Sequence, residues 1–101
     1  MDIKHLRNEI DAVDGELLEL FRRRMELSPE IARLKKGQGL PIYDPAREQE
    51  KLAEIARRAG EDMGEYSEAL WMKLMELSKA YQQSIKGEEE NSSADSESGV
   101  I

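Results

Sequence analysis

The chain has no cysteine and a single histidine, His5, among its 101 residues. The first shortage excludes a disulfide framework, a cysteine nucleophile and a thiolate metal site. The second excludes a histidine metal cluster and a histidine-based triad built with anything but His5. No cofactor and no metal are therefore expected. Bases are also in deficit, 15 against 22 acids for a net charge of -7. A nucleic-acid partner calls for a basic stripe and is not expected. At face value the same balance disfavours an anionic small molecule. No apolar run approaches the roughly 20 residues needed to span a bilayer, so no membrane partner is expected. The opening stretch MDIKHLRNEIDAVDGE lacks the apolar segment of a secretory signal. The expectation is a soluble, cytoplasmic protein of one small domain.

What is present is helical periodicity. Leu6, Ile10, Val13, Leu17, Leu20, Leu27, Ile31 and Leu34 recur at steps of three, four or seven. This is the stripe of a long helix with a coiled-coil-like seam. Gly37, Gly39 and Pro41 stop it. Asp44 then offers an N-cap and Pro45 the first position of a second helix, expected over 45–59. Gly60 and Gly64 frame a turn, and a third helix over about 65–85 uses Leu70, Leu74, Leu77, Tyr81 and Ile85. The fold class expected is all-α, with one long and two shorter helices. Such a chain does not enclose its long helix by itself, which predicts a homodimer.

Residues 86–101, KGEEENSSADSESGVI, have almost nothing to bury and read as an acidic disordered tail or linker beside a helical domain over 1–85. One lysine against five acids places -4 in that tail and leaves -3 in residues 1–85. Pro29 is the exception to the helical pattern. Inside a helix it removes a hydrogen bond and crowds the preceding turn, at a cost of about 3 kcal/mol. Ser28-Pro29-Glu30 also reads as a fresh helix start. The helix either kinks or breaks there, and the continuous seam favours a kink.

The informative residues are polar ones within apolar rows. Arg24 occupies the missing position of the first seam, and Lys35, eleven residues on, shares its face. Ser78 and Gln82, four apart, continue the row of Leu74, while Arg47 and Glu48 stand just beyond the Asp44 cap. Together they would line a polar pocket, and its buried cations suggest an anionic ligand. Arg7 lies seventeen residues before Arg24, roughly 25 Å along the helix. It can reach such a pocket only in a partner chain. Taken singly, none compels a catalytic reading. A seam arginine more often snorkels, Lys35 beside Lys36 is an ordinary helix end, and Arg47-Glu48 an ordinary charged face.

The combination resembles the all-helical chorismate mutase family over residues 3–85. The motifs are L-R-x-x-I-D-x-x-D from Leu6, K-x-x-x-G-x-P-I-x-D-P-x-R-E from Lys35 and S-x-x-x-Q from Ser78. The resemblance implies the Claisen rearrangement of chorismate to prephenate, in aromatic amino acid biosynthesis. It also implies an intertwined homodimer of three-helix chains. Arg24 and the other subunit's copy of Arg7 would bind the substrate carboxylates. Lys35 would contact a carboxylate and the ether oxygen, and Gln82 that same oxygen. Ser78 would hold the ring carboxylate. Glu48 and the backbone at Asp44 would hold the ring hydroxyl, with Arg47 in support. A pericyclic reaction needs no nucleophile, metal or general base, which suits this composition. Two alternatives stand beside it: an isochorismate-pyruvate lyase, and a noncatalytic helical module whose polar seam sets register.

Overall fold

The computed structural model describes the backbone of residues 2–98 and the side chains of residues 2–85. Those residues form three α-helices and no strand: α1 (Ile3–Gly37), α2 (Pro45–Ala59) and α3 (Gly64–Ser98).

Local chemistry sets the boundaries. The Asp2 carboxylate accepts from the backbone N–H of His5 at 2.8 Å, capping α1. At its other end Lys35 and Lys36 occupy the negative pole of the helix dipole. Gly39 turns the chain with φ +71°, a conformation in which a side chain is strained. Asp44 caps α2, accepting from Arg47 N–H at 3.0 Å, and Pro45 takes the first helical position, where a missing N–H costs nothing. Gly60, at φ +86°, closes α2. Gly64 opens α3 so close to α2 that a Cβ there would stand 3.3 Å from the Ala56 carbonyl oxygen.

A single α-helix passes through Pro29, so the chain does not break into two helices there. Pro29 is itself buried. α3 keeps helical backbone to Ser98, thirteen residues beyond the end expected from its apolar row. No proline interrupts that stretch, and glutamates and an alanine there favour helix whether or not a face is buried. Residues 99–101 lie outside the described residues.

α2 packs along α3, and α1 meets α3 over a shorter contact. Among the described residues no hydrophobic side chain other than the Pro29 ring is buried, and the α1 stripe from Ile10 to Leu34 is more than half exposed throughout. The radius of gyration is 18.4 Å, against about 13 Å for a compact domain of this length. The molecule is thus an open frame, with its most regular apolar surface uncovered. Among the described residues no helix is long and apolar enough to cross a membrane.

Candidate active site

Two polar rungs join α1 to α3. Arg24 Nη1 donates to Ser78 Oγ at 2.9 Å, and the Ser78 hydroxyl is directed in turn at Met25 Sδ, 3.8 Å away. One turn further along both helices, Gln82 Nε2 donates to the Ser28 hydroxyl and to the Ser28 carbonyl, the latter at 3.2 Å. Each rung spans 54 residues of sequence. The numbers rise together on the two helices, so α1 and α3 run in the same direction at this contact. Ser78 is 6% exposed, the one polar residue buried among those described. Its hydroxyl therefore depends on the Arg24 guanidinium as donor, with Met25 Sδ as its weak acceptor.

Lys35, further along α1, directs Nζ toward the Ile42 carbonyl at 3.5 Å, which links the helix end to the segment before α2. On the α2 side of α3, Lys79 Nζ pairs with Glu48 Oε1 at 2.9 Å and sits 4.7 Å from the centre of the Tyr43 ring. Hydrogen bonding to Glu48 pushes the Lys79 pKa up, partial burial opposes that, and the Glu48 and Tyr43 charges add to the rise. Tyr43, Glu48, Leu52, Met75, Lys79 and Gln83 help line an open groove of about 540 Å³ between α2 and α3. Arg24, Ser78 and Gln82 do not line it. The rungs bring cation, hydroxyl and amide together on the α1 side of α3, and the groove with its Lys79–Glu48 pair opens on the α2 side, one residue along from Ser78.

The structure thus gathers Arg24, Ser78 and Gln82, and puts Glu48 against the residue next to Ser78. Asp44 is committed to capping α2. Arg47 is exposed and lies 3.9 Å from Glu50. Arg7, exposed near the start of α1, is not part of the cluster. Among the described residues no group of acidic or histidine side chains is placed to hold a metal ion.

Two participants escaped the sequence reading. Ser28 reads as a helix cap, yet it bonds Gln82. Its signal was present, because Ser28 lies four residues from Arg24 and shares its face. Lys79 left no such signal, since its role follows from how α2 lies against α3.

The chorismate mutase type II family model matches residues 6–83. The chain belongs to that family. Among solved structures, chorismate mutase (form I) from Thermus thermophilus is similar at TM-score 0.71 and 38% identity, covering 75% of this chain and 96% of that one. A 3-dehydroquinate dehydratase from Pyrobaculum aerophilum is 48% identical over 56 residues, 55% of this chain and 17% of that protein. A 4-amino-4-deoxychorismate mutase from Streptomyces venezuelae is 46% identical over 46 residues, 46% of this chain and 45% of its own length. The chain spans less than half the length of these two curated relatives. The family match covers both rungs and ends one residue beyond Gln82.

Proposed function

We propose that the chain is a chorismate mutase, rearranging chorismate to prephenate as one subunit of a homodimer. The observation that carries this reading is the Arg24–Ser78 bond beside Gln82, within a chain of the chorismate mutase type II family. In the reaction the ether C–O bond of the enolpyruvyl arm breaks while a C–C bond forms to the ring. Nothing enters or leaves, and no external proton or electron is consumed.

The catalyst has two tasks. It holds the arm over the ring in a reactive geometry, and it stabilises the negative charge that grows on the ether oxygen. Arg24 and a second subunit's copy of Arg7 clamp the carboxylates with planar, charge-assisted bonds. Ser78 fixes the Arg24 guanidinium and contributes to the ring carboxylate. Lys35 and Gln82 donate to the ether oxygen. Glu48 accepts from the ring hydroxyl at C4, the backbone at Asp44 helps to hold that hydroxyl, and Arg47 supports that wall. The substrate named for the Streptomyces relative carries an amine in place of that hydroxyl, so Glu48 is where the two substrates would be told apart.

The dimer is supported by the bare α1 stripe. An apolar row of this length exposed on a monomer is far larger than isolated surface leucines. A second copy laid along it covers the row and brings in Arg7. Residues 86–101 stand outside this functional unit, a division supported by the end of the family match at residue 83.

Chorismate disappearance, followed spectrophotometrically with wild type and Lys35→Ala, tests the proposal. Loss of one ether-oxygen donor is expected to lower kcat by about 10²- to 10³-fold with the fold retained. Absence of turnover by wild type overturns the reading. Turnover of isochorismate in its place selects the lyase, and turnover of neither substrate leaves the noncatalytic module.

A further inference from the structure

We propose that Lys79 is a specificity-determining residue, which by occupying Glu48 makes the site accept a neutral hydroxyl on the substrate ring and reject an ammonium there. The inference rests on the mutase reading above, in which Glu48 faces the ring substituent.

Three elements build the device. Tyr43 comes from the segment before α2, Glu48 from the first turn of α2, and Lys79 from α3. Lys79 Nζ stands 2.9 Å from Glu48 Oε1 and 4.7 Å from the Tyr43 ring centre. The ring face is electron-rich and holds the ammonium from one side while the carboxylate holds it from the other. The Glu48 side chain is 23% exposed and that of Lys79 47%. The acid is thus the inner member of the pair and the lysine its outer cover. Lys79 is also the immediate neighbour of Ser78, whose hydroxyl receives Arg24. One step along α3 turns the chain by about 100°, so consecutive residues serve the two walls of the site, Ser78 toward α1 and Lys79 toward α2.

The charge consequence follows. An unpaired carboxylate at a half-buried site draws any cation, and an alkyl amine is a cation at neutral pH. With Lys79 in place the pair is neutral overall. A second ammonium would meet the first at short range, where like charges repel. A hydroxyl meets no such penalty. It donates to the second oxygen of Glu48, for which no hydrogen bond is made among the described residues, while Lys79 keeps the first. Hydrogen bonding to Glu48 holds Lys79 in its charged form, so the discrimination operates throughout the neutral range.

The test compares kcat/KM for chorismate and for 4-amino-4-deoxychorismate, using the purified full chain as wild type, Lys79→Met, Lys79→Gln and Lys79→Arg. Wild type is expected to favour chorismate. Both neutral variants should shift the ratio toward the amino compound by roughly tenfold, and Lys79→Arg should keep the wild-type preference. A general structural defect would lower both constants together and leave the ratio in place. Two neutral variants that fold but leave the ratio unchanged overturn the proposal, as does a wild type that prefers the amino compound. Wild-type turnover of chorismate in those cases leaves the mutase reading standing. A wild type that turns over neither compound sinks both.

Discussion

Ser78 Oγ lies 2.9 Å from Arg24 Nη1, joining positions 54 residues apart at the least exposed polar residue described. A charge-assisted hydrogen bond of this kind contributes roughly 1.5–3 kcal/mol. Ser78→Ala removes the anchor and leaves a half-buried guanidinium without it. We expect kcat/KM for chorismate to fall about ten- to hundredfold. Steady-state kinetics alongside a thermal melt will separate the lost orientation from any loss of fold. An unchanged kcat/KM would show that Arg24 is oriented by something else.

The second rung makes a separate prediction. Ser28 presents two acceptors to Gln82 Nε2 and so determines which end of the amide faces α1. Replacing it with alanine removes the hydroxyl acceptor and leaves the backbone carbonyl, so the amide is held by one bond in place of two. It then turns more readily to present its carbonyl oxygen, an acceptor, where the proposed site needs a donor. Ser28→Ala should lower kcat by a few-fold with little change in KM, because the ether oxygen gains its charge only in the transition state. A change confined to KM would contradict this role.

How far the sequence could be read depended on whether a feature was local. Asp44 and Pro45 set the start of α2 by chemistry confined to four residues, and α2 spans the expected range. The i, i+4 spacing of Ser78 and Gln82 was equally plain, as was the row that Arg24 interrupts. What no periodicity contains is the offset between helices. That Arg24 meets Ser78, and Ser28 meets Gln82, is a property of the packed pair. The Lys79–Glu48 contact depends on the same kind of offset between α2 and α3. The end of α3 is not legible in the apolar row for another reason. An apolar row marks where a helix is covered, and helical backbone continues past that point wherever nothing breaks it.

Pro29 is helical and buried within α1. Its ring cannot donate to the carbonyl one turn back, a defect worth about 3 kcal/mol in a helix interior. Pro29→Ala restores the donor at the cost of some packing. The expected net result is a higher melting temperature, measured by circular dichroism. Since Pro29 lies between Arg24 and Lys35, the same variant should also change kcat/KM, because small displacements of the two cations alter their fit to one substrate. A lower melting temperature would show that the packing of the ring outweighs the missing hydrogen bond.

The pH behaviour follows from two groups. Gln82 has no proton to lose in the working range, so kcat/KM should not collapse between roughly pH 5 and 8, as it would if a carboxylic acid held that position. Lys79 has a pKa raised above the ordinary 10.5, chiefly by its hydrogen bond to Glu48. A raised lysine pKa gives a contribution fully present below the unfolded value and lost as pH rises through the folded one. Wild type and Lys79→Met should therefore differ in selectivity at neutral pH, where Lys79 and the substrate amine are both charged, and converge as the substrate amine loses its proton, before Lys79 loses its own. A difference that vanished already near pH 8 would contradict the assignment.

Arg7 and Lys35 sit on one helix, separated by about 40 Å of rise, so a single site that uses both must draw them from different chains. This permits a test by complementation. In the proposed homodimer, Arg7→Ala leaves every site without the arginine and Lys35→Ala leaves every site without the lysine, so each preparation should be nearly inactive. A heterodimer of the two has one site with both defects and one with neither. The intact site takes Lys35 from the Arg7→Ala chain and Arg7 from the Lys35→Ala chain. Random exchange of equal amounts makes half the dimers mixed, each with one working site of two. Activity should therefore recover to about a quarter of the wild-type value as subunits exchange, a consequence of two-fold symmetry. The recovery should follow the exchange rate and be blocked by cross-linking the homodimers before mixing. If both residues came from one chain, each mixed dimer would carry one defect in each site and mixing would restore nothing.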